Sequence, residues 1–194
     1  MAGQSSLFGF EEDAKPTDRL FFALFPDAET AEHIAECARQ LRVQHGLHGA
    51  PLKTERFHIT LHHLGDYPGL DQGIVDMASR AAAAVKAAPF SVTFDRAVSF
   101  SNSPRNRPFV LRGDAGLAEL MVFQRALGLE MTKAGLGRWA KPAYTPHVTL
   151  LYDDRAVAEQ AITPIRWTAG EFVLVRSLIG QTLHIPLARW PLRP

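Results

Sequence analysis

The chain has 194 residues, of which 46% are hydrophobic, and a formal net charge of +1. This length and composition predict a folded protein with a substantial core, and the small charge argues against wrapping long nucleic acid through a broad basic surface. The sequence shows neither the pattern of a signal peptide nor the roughly 20 apolar residues of a membrane span. Because Cys37 is the single cysteine, we expect a cytoplasmic protein without disulfides.

The N-terminal region predicts a leader followed by a buried strand. Residues 1–17 mix glycine, serine and acidic residues without apolar periodicity, so we predict a flexible leader before a folded domain over 18–194. Residues 20–25 are continuously apolar and aromatic, which is typical of a buried strand, and Pro26 ends it.

An amphipathic helix and a second strand come next. Asp27 predicts a helix N-cap, and apolar residues spaced three and four apart predict a helix over 28–45. Residues 57–66 are β-like. Regular alternation would place His58, Thr60 and His62 on one face of this strand. His63 would point to the opposite face.

The same order of elements recurs further along the chain. A short strand over 109–113 precedes Asp114 as a second predicted N-cap, a helix over 117–133 and a β-like segment over 146–153. His147 and Thr149 would share a face of that last strand. The remaining predicted elements are a helix over 72–86 and strands over 90–100, 171–179 and 182–187, with an exposed loop over 101–108.

The repeated order predicts a duplicated domain. His147 follows His58 by 89 residues, and Asp114 follows Asp27 by 87. Two copies of one unit indicate an α+β domain with an approximate two-fold axis, and its short connections favour antiparallel pairing. The two histidine-bearing strands could then meet at the centre.

Paired histidines and threonines suit phosphodiester chemistry. One imidazole could take a proton from a nucleophile while the other gives one to the leaving oxygen. A threonine two residues after each histidine could donate a hydrogen bond to a phosphoryl oxygen. No cofactor is required, and the cluster of His58, His62 and His63 makes a poor metal site because adjacent strand residues diverge.

The two motifs, His58-Ile59-Thr60-Leu61 and His147-Val148-Thr149-Leu150, resemble those of the two-histidine (2H) phosphoesterase superfamily. The similarity is to its RNA 2',3'-cyclic phosphodiesterase branch, also called 2'-5' RNA ligase or LigT-like, and it runs from about Arg19 to the C-terminus.

The resemblance implies a bilobal domain in which two antiparallel sheets flank a central cleft, with helices outside. It also implies metal-independent hydrolysis of a terminal 2',3'-cyclic phosphate to a 2'-phosphomonoester, with a weak reverse ligase activity. His58 would be the proton donor and His147 the proton acceptor, while Thr60 and Thr149 would hold the phosphate.

The sequence departs from this family pattern at Tyr152, where many members of the branch carry an arginine. Arg105 or Arg107 could supply the missing charge, or both could be ordinary surface residues. His62 could line the cleft or be structural, and the same alternatives apply to three aromatic residues near the motifs: Phe57, Trp139 and Tyr144. No role is assigned to His33, His45, His48 or His184.

Two other functions remain open on the sequence alone. The same chemistry could act on another cyclic or 2'-5' linked nucleotide, or the chain could be a non-catalytic RNA-binding module. The expected partner is an RNA end or nucleotide with a cyclic phosphate, and the expected state is a monomer.

Overall fold

An antiparallel sheet with three α-helices forms the part of the chain described by the computed structural model, residues 14–101 and 105–193. The strands are β1 (Asp18–Leu24), β2 (Ile59–Tyr67), β3 (Phe90–Ser99), β4 (Arg107–Arg112), β5 (Val148–Asp153), β6 (Gln160–Ala169), β7 (Glu171–Leu178) and β8 (Leu183–Pro191). The helices are α1 (Ala28–Gln44), α2 (Gln72–Ala84) and α3 (Ala118–Met131). The predicted α+β class is confirmed.

The sheet consists of two four-stranded halves. Its strand order is β6-β3-β4-β5-β2-β1-β7-β8, so the two motif strands are the central neighbours. The register between them contains one residue pair, Ile59 with Val148. The two predicted sheets are therefore the two halves of one sheet, and their narrow junction leaves room for a cleft.

The first predicted helix cap is confirmed. The Asp27 carboxylate accepts a hydrogen bond from the Thr30 backbone N–H at 2.8 Å, which satisfies one of the free donors at the start of α1. The chain leaves the helix at Gly46, whose φ of +58° is a left-handed conformation that glycine adopts without strain. The buried face of α1 carries the predicted apolar residues Ala31, Ile34, Ala35, Ala38 and Leu41.

The second predicted cap, Asp114, is wrong. A short 3₁₀ turn over Ala115–Leu117 separates Asp114 from α3, and no side chain caps that helix. The carboxylate instead binds the guanidinium of Arg96 on β3 at 2.8 Å. The intervening turn moves the helix start beyond the reach of the aspartate.

Strand β6 was not predicted. It pairs with β3 at one edge of the sheet, and it contains Pro164. Proline lacks an N–H donor, so it is tolerated on an edge strand, but it weakens the sequence signal for a strand.

The halves share one continuous core. Helix α1 packs against β5 and β6, and α3 packs against β3 and β2. Among the described residues, no helix is both long and apolar enough to cross a bilayer. Residues 1–13 of the predicted leader lie outside the described part of the chain, whereas Thr17 is held to the sheet by its N–H bond to the Tyr67 carbonyl at 2.9 Å. Fully buried aromatic residues fill the centre of the core: Phe22, Phe57, Phe94, Phe109 and Phe172.

Candidate active site

The two motifs meet at the junction between the halves of the sheet. Because Ile59 pairs with Val148 in an antiparallel register, the flanking residues on either side also face each other across the strands. His58 therefore lies opposite Thr149, and His147 lies opposite Thr60. All four side chains line one cavity of about 240 Å³, which we call the motif cavity.

Each histidine is oriented by the backbone carbonyl two residues before it. The Nδ1 atom of His58 lies 2.7 Å from the Arg56 carbonyl oxygen, and that of His147 lies 2.8 Å from the Thr145 carbonyl oxygen. A carbonyl only accepts hydrogen bonds, so the Nδ1 atom must carry the proton in both neutral rings. The Nε2 atoms are left to exchange protons in the cleft.

Both motif strands contain a β-bulge directly after the threonine. Two neighbouring residues of β1 pair with Thr60 and His62 of β2, so the β2 residue between these two has no partner in β1. On β5, successive residues of β4 pair with Thr149 and then Leu151. An extra residue inverts the alternation of side chains beyond it. The duplication therefore extends to this irregularity of the backbone.

The bulge corrects the predicted orientations of His62 and His63. Regular alternation placed His62 beside His58, but His62 is buried and its Nε2 atom lies 2.9 Å from the Gln124 carbonyl oxygen on α3. His62 thus forms part of the cleft wall next to the helix. His63, predicted to face away, lines the motif cavity, and its Nε2 atom lies 2.9 Å from the Asp66 carboxylate.

Aromatic rings surround His58. The ring of Phe21 stacks on it with centroids 5.1 Å apart, Phe25 lies at 5.8 Å, and His184 on β8 meets it edge-on at 5.1 Å. Burial lowers the pKa of His58 to about 4, which the hydrogen bond to the Arg56 carbonyl partly opposes. Burial also lowers the pKa of His184 to about 4. The sequence offers no signal for His184, because it lies far from either motif along the chain.

The surroundings of His147 are more polar. Phe100 contacts its ring edge-on with centroids 5.0 Å apart. Leu111 of β4 pairs with Val148, so the next pair in that register sets Arg112 beside His147. Burial lowers the pKa of His147, the bond to the Thr145 carbonyl opposes this, and the charge of Arg112 lowers it further.

A larger cavity of about 560 Å³, which we call the aromatic cavity, opens beside the motif cavity and shares Thr60, His63 and His147 with it. Burial raises the pKa of the Tyr144 phenol there, and the buried hydroxyl has no hydrogen-bond partner in the described chain. Phe57 is buried in the core and does not line this cavity. Three aromatic residues and two cationic residues do: Phe100, Trp139, Tyr144, Arg112 and Lys141.

Two solved structures resemble the whole fold. The crystal structure of E. coli LigT complexed with ATP has a TM-score of 0.66 and 26% identity, and the match covers 93% of this chain and 100% of LigT. That of TT0787 from Thermus thermophilus has a TM-score of 0.72 and 22% identity, with 90% and 98% covered, and supports the fold. E. coli LigT has also been crystallised with 3'-AMP, NADP+ and phosphate.

The sequence comparison supports one family. The LigT like Phosphoesterase family matches residues 24–110, which include the first motif. No curated protein sequence matches the chain. The second motif lies outside the matched range, but the structure joins it to the first. The family match and the E. coli LigT structure together support the LigT-like family of 2H phosphoesterases for this chain.

In this protein, neither predicted arginine reaches the motif residues. Tyr152 lines the motif cavity, as its place after the bulge requires. Arg107 donates from its guanidinium to the Asp154 carbonyl, and Arg105 is exposed; neither is among the described residues that line the motif cavity or the aromatic cavity. The prediction that one of them replaces the family arginine is therefore not supported by their placement.

One of the two arginines that line the motif cavity in the described part of the chain is paired with a carboxylate. Arg19 forms a two-pronged ion pair with Asp66 through Nε at 2.8 Å and Nη2 at 2.7 Å. This pairing holds the pKa of Asp66 down, to about 2. No group of three or more His, Cys, Asp or Glu side chains in residues 14–101 and 105–193 is placed to hold a metal ion.

Proposed function

We propose that this LigT-like phosphoesterase opens a 2',3'-cyclic phosphate at the end of RNA to a 2'-phosphomonoester, using His58 and His147. The observation that carries the proposal is that two histidines, each with Nδ1 held by a carbonyl, share one cavity with two threonine hydroxyls. Such a set supplies a proton acceptor, a proton donor and two hydrogen-bond donors for the phosphate.

The reaction follows from this arrangement. His147 Nε2 takes a proton from water as the water oxygen forms a bond to phosphorus. The bond between phosphorus and the ribose 3'-oxygen breaks, and His58 Nε2 gives its proton to that oxygen. Thr60 and Thr149 donate hydrogen bonds to the nonbridging oxygens. A ribose 5'-hydroxyl in place of water would attack phosphorus in the same way: His147 takes its proton, the bond to the 3'-oxygen breaks, and His58 protonates that oxygen. The product is a 2'-5' linkage, which accounts for weak joining in this proposal.

Protonation of His58 depends on the substrate in this scheme. In the free protein, burial keeps the pKa of His58 at about 4, so its ring is mainly neutral at pH 7. A bound phosphate anion nearby favours the charged imidazolium. Substrate binding therefore brings the acid into its working state, while the positive charge of Arg112 favours the neutral form of His147 as the acceptor.

An RNA end as the substrate is supported by the aromatic cavity. Its rings offer stacking surfaces for bases, and Arg112 and Lys141 offer positive charge for phosphates. The nucleotides and phosphate bound in the E. coli LigT crystals support a ligand of this chemistry. We further propose that the protein acts as a cytoplasmic monomer.

The test is incubation of the purified protein, in EDTA, with a short RNA that ends in a 2',3'-cyclic phosphate. Identification of the product should show a 2'-phosphate. His58→Ala and His147→Ala should each lower the rate by about a hundredfold to ten-thousandfold, whereas His33→Ala, on the exposed face of α1, should not change it.

The opposite results are equally informative. Activity that survives both motif substitutions would exclude the two-histidine mechanism. Absence of product from RNA, with turnover of a cyclic mononucleotide or a 2'-5' linked dinucleotide, would favour another substrate for the same residues. Binding of RNA without turnover of any of these would indicate a non-catalytic RNA-binding module.

A further inference from the structure

Arg112 occupies the position next to the second catalytic histidine. Leu111 of β4 pairs with Val148 of β5, so Arg112, the next residue, lies opposite His147 on the β4 side of that strand. Thr60 lies opposite His147 on the β2 side. Arg112, His147 and Thr60 all line the aromatic cavity. A cation at this point is one strand away from the centre of the proposed reaction.

The guanidinium of Arg112 is incompletely paired. Its Nη1 atom lies 3.4 Å from the Glu159 carboxylate, at the long end of an ion pair. Its Nε atom is buried and has no hydrogen-bond partner among the described residues. A buried N–H donor without an acceptor is unfavourable. About a third of the Arg112 side chain, 34%, is exposed, so the accessible part of its guanidinium can donate to an anion in the cavity.

Other cations near the motifs are less suited to this task. Arg19 is already committed to Asp66 by two hydrogen bonds, and Lys141 is exposed. Arg56 lines the motif cavity, and its Nε atom is also buried without a hydrogen-bond partner among the described residues, but its charge acts on His58. It also lines a second cavity, whose lining includes three carboxylate residues: Asp27, Glu55 and Glu171.

We propose that Arg112 is the phosphate-binding cation of this active site and takes the place of the family arginine that Tyr152 replaces. Its guanidinium donates hydrogen bonds to a nonbridging oxygen and stabilises the negative charge that grows there as water attacks. Its role is electrostatic, and no proton leaves it. The inference rests on the proposed function for its catalytic part, but phosphate binding tests it separately.

Two neighbours provide matched controls. Arg96 pairs with Arg112 across β3 and β4, and it binds the same carboxylate, Glu159, at 3.3 Å, but lies one strand further from His147. Arg96→Met therefore removes an arginine of the same ion-pair network outside the cavity. Glu159→Gln removes the carboxylate partner and leaves Arg112 in place.

The experiment measures kcat/KM with the cyclic-phosphate RNA and, by NMR titration, the Kd for inorganic phosphate. Arg112→Met should lower kcat/KM by about a hundredfold and raise the Kd for phosphate by about tenfold. Arg112→Lys should recover part of both losses, since lysine keeps the charge but not the planar donor set. Arg96→Met and Glu159→Gln should stay within about threefold of the wild type.

Several results would overturn the proposal. If Glu159→Gln or Arg96→Met lowers kcat/KM as much as Arg112→Met does, Arg112 is a part of a structural ion-pair network. If the wild type turns over no cyclic phosphate, the proposed function fails. In that case the Kd for phosphate alone tests whether Arg112 binds phosphate. Equal Kd values for the wild type and Arg112→Met, or no phosphate binding by the wild type, would then exclude Arg112 as the phosphate ligand.

Discussion

The two halves of the sheet carry the same reactive groups in different surroundings. Each half has a histidine bonded through Nδ1 to a carbonyl, a threonine two residues later and a bulge after it. Beside His58 lies Phe25, and at the equivalent place beside His147, 87 residues further along, lies Arg112. The two halves therefore share the histidine and threonine atoms of the proposed reaction but differ in the neighbouring strand residues.

The difference teaches how one motif can serve two roles. An apolar pocket formed by Phe21, Phe25 and His184 makes the charge state of His58 depend strongly on a bound anion. The charge of Arg112 lowers the pKa of His147 and favours its neutral ring, the form that would accept a proton. The charge of Arg56 acts on His58 in the same direction, as a smaller effect than burial. The assignment of His58 as proton donor and His147 as proton acceptor stays a proposal, and three measurements would break or sharpen it.

The largest of these effects compares the two threonines. Thr60→Val and Thr149→Val keep the side-chain shape but remove the hydroxyl, and each lost hydrogen bond to a charged oxygen is worth about 1.5–3 kcal/mol. We expect each variant to lower kcat by about tenfold to a hundredfold in steady-state assays. A loss confined to one of them would show that the phosphate is bound by one half of the site alone.

The second effect concerns the titration of the histidines, followed by NMR of the ring protons. The pKa of His58 should lie near 4 in the free protein, and that of His147 should also lie below its ordinary value. Saturating inorganic phosphate should raise the pKa of His58, because an anion stabilises the imidazolium. An unchanged His58 resonance on phosphate binding would contradict its assignment as the substrate-activated acid.

The smallest effect is on stability in acid. Because burial lowers the pKa of His184 to about 4, the unfolded chain takes up this proton at a higher pH than the folded protein does. Its contribution to stability is complete above pH of about 6.5 and is lost as the pH falls towards 4. His184→Phe removes this group, so its Tm should fall less between pH 7 and pH 4.5.

The comparison with the wild type is made by calorimetry over the same pH range. Other buried histidines, including His58, still take up protons in acid, so the variant keeps part of the decline. Equal declines in Tm for the two proteins would show that His184 is not held neutral by burial beside His58.

Much of the site could be predicted because it depends on local patterns. The His-x-Thr repeat, the β-like strands that carry it and the cap at Asp27 each follow from residues close together in the chain. The similar spacing of the two copies, 89 residues between the histidines and 87 between the aspartates, then predicted a duplicated α+β domain with its motif strands at the centre, which is the observed strand order.

The remaining features depend on pairing between distant segments. Only the register with β1 and β4 reveals the bulges that turn His63 into the cleft and His62 into the wall. Only the placement of β8 brings His184 to His58, and only the pairing of β4 with β5 brings Arg112 to His147. The sequence by itself determined the reactive groups, since they lie in short motifs. The tertiary structure decided their surroundings, because strand register and burial depend on contacts between residues far apart in the chain.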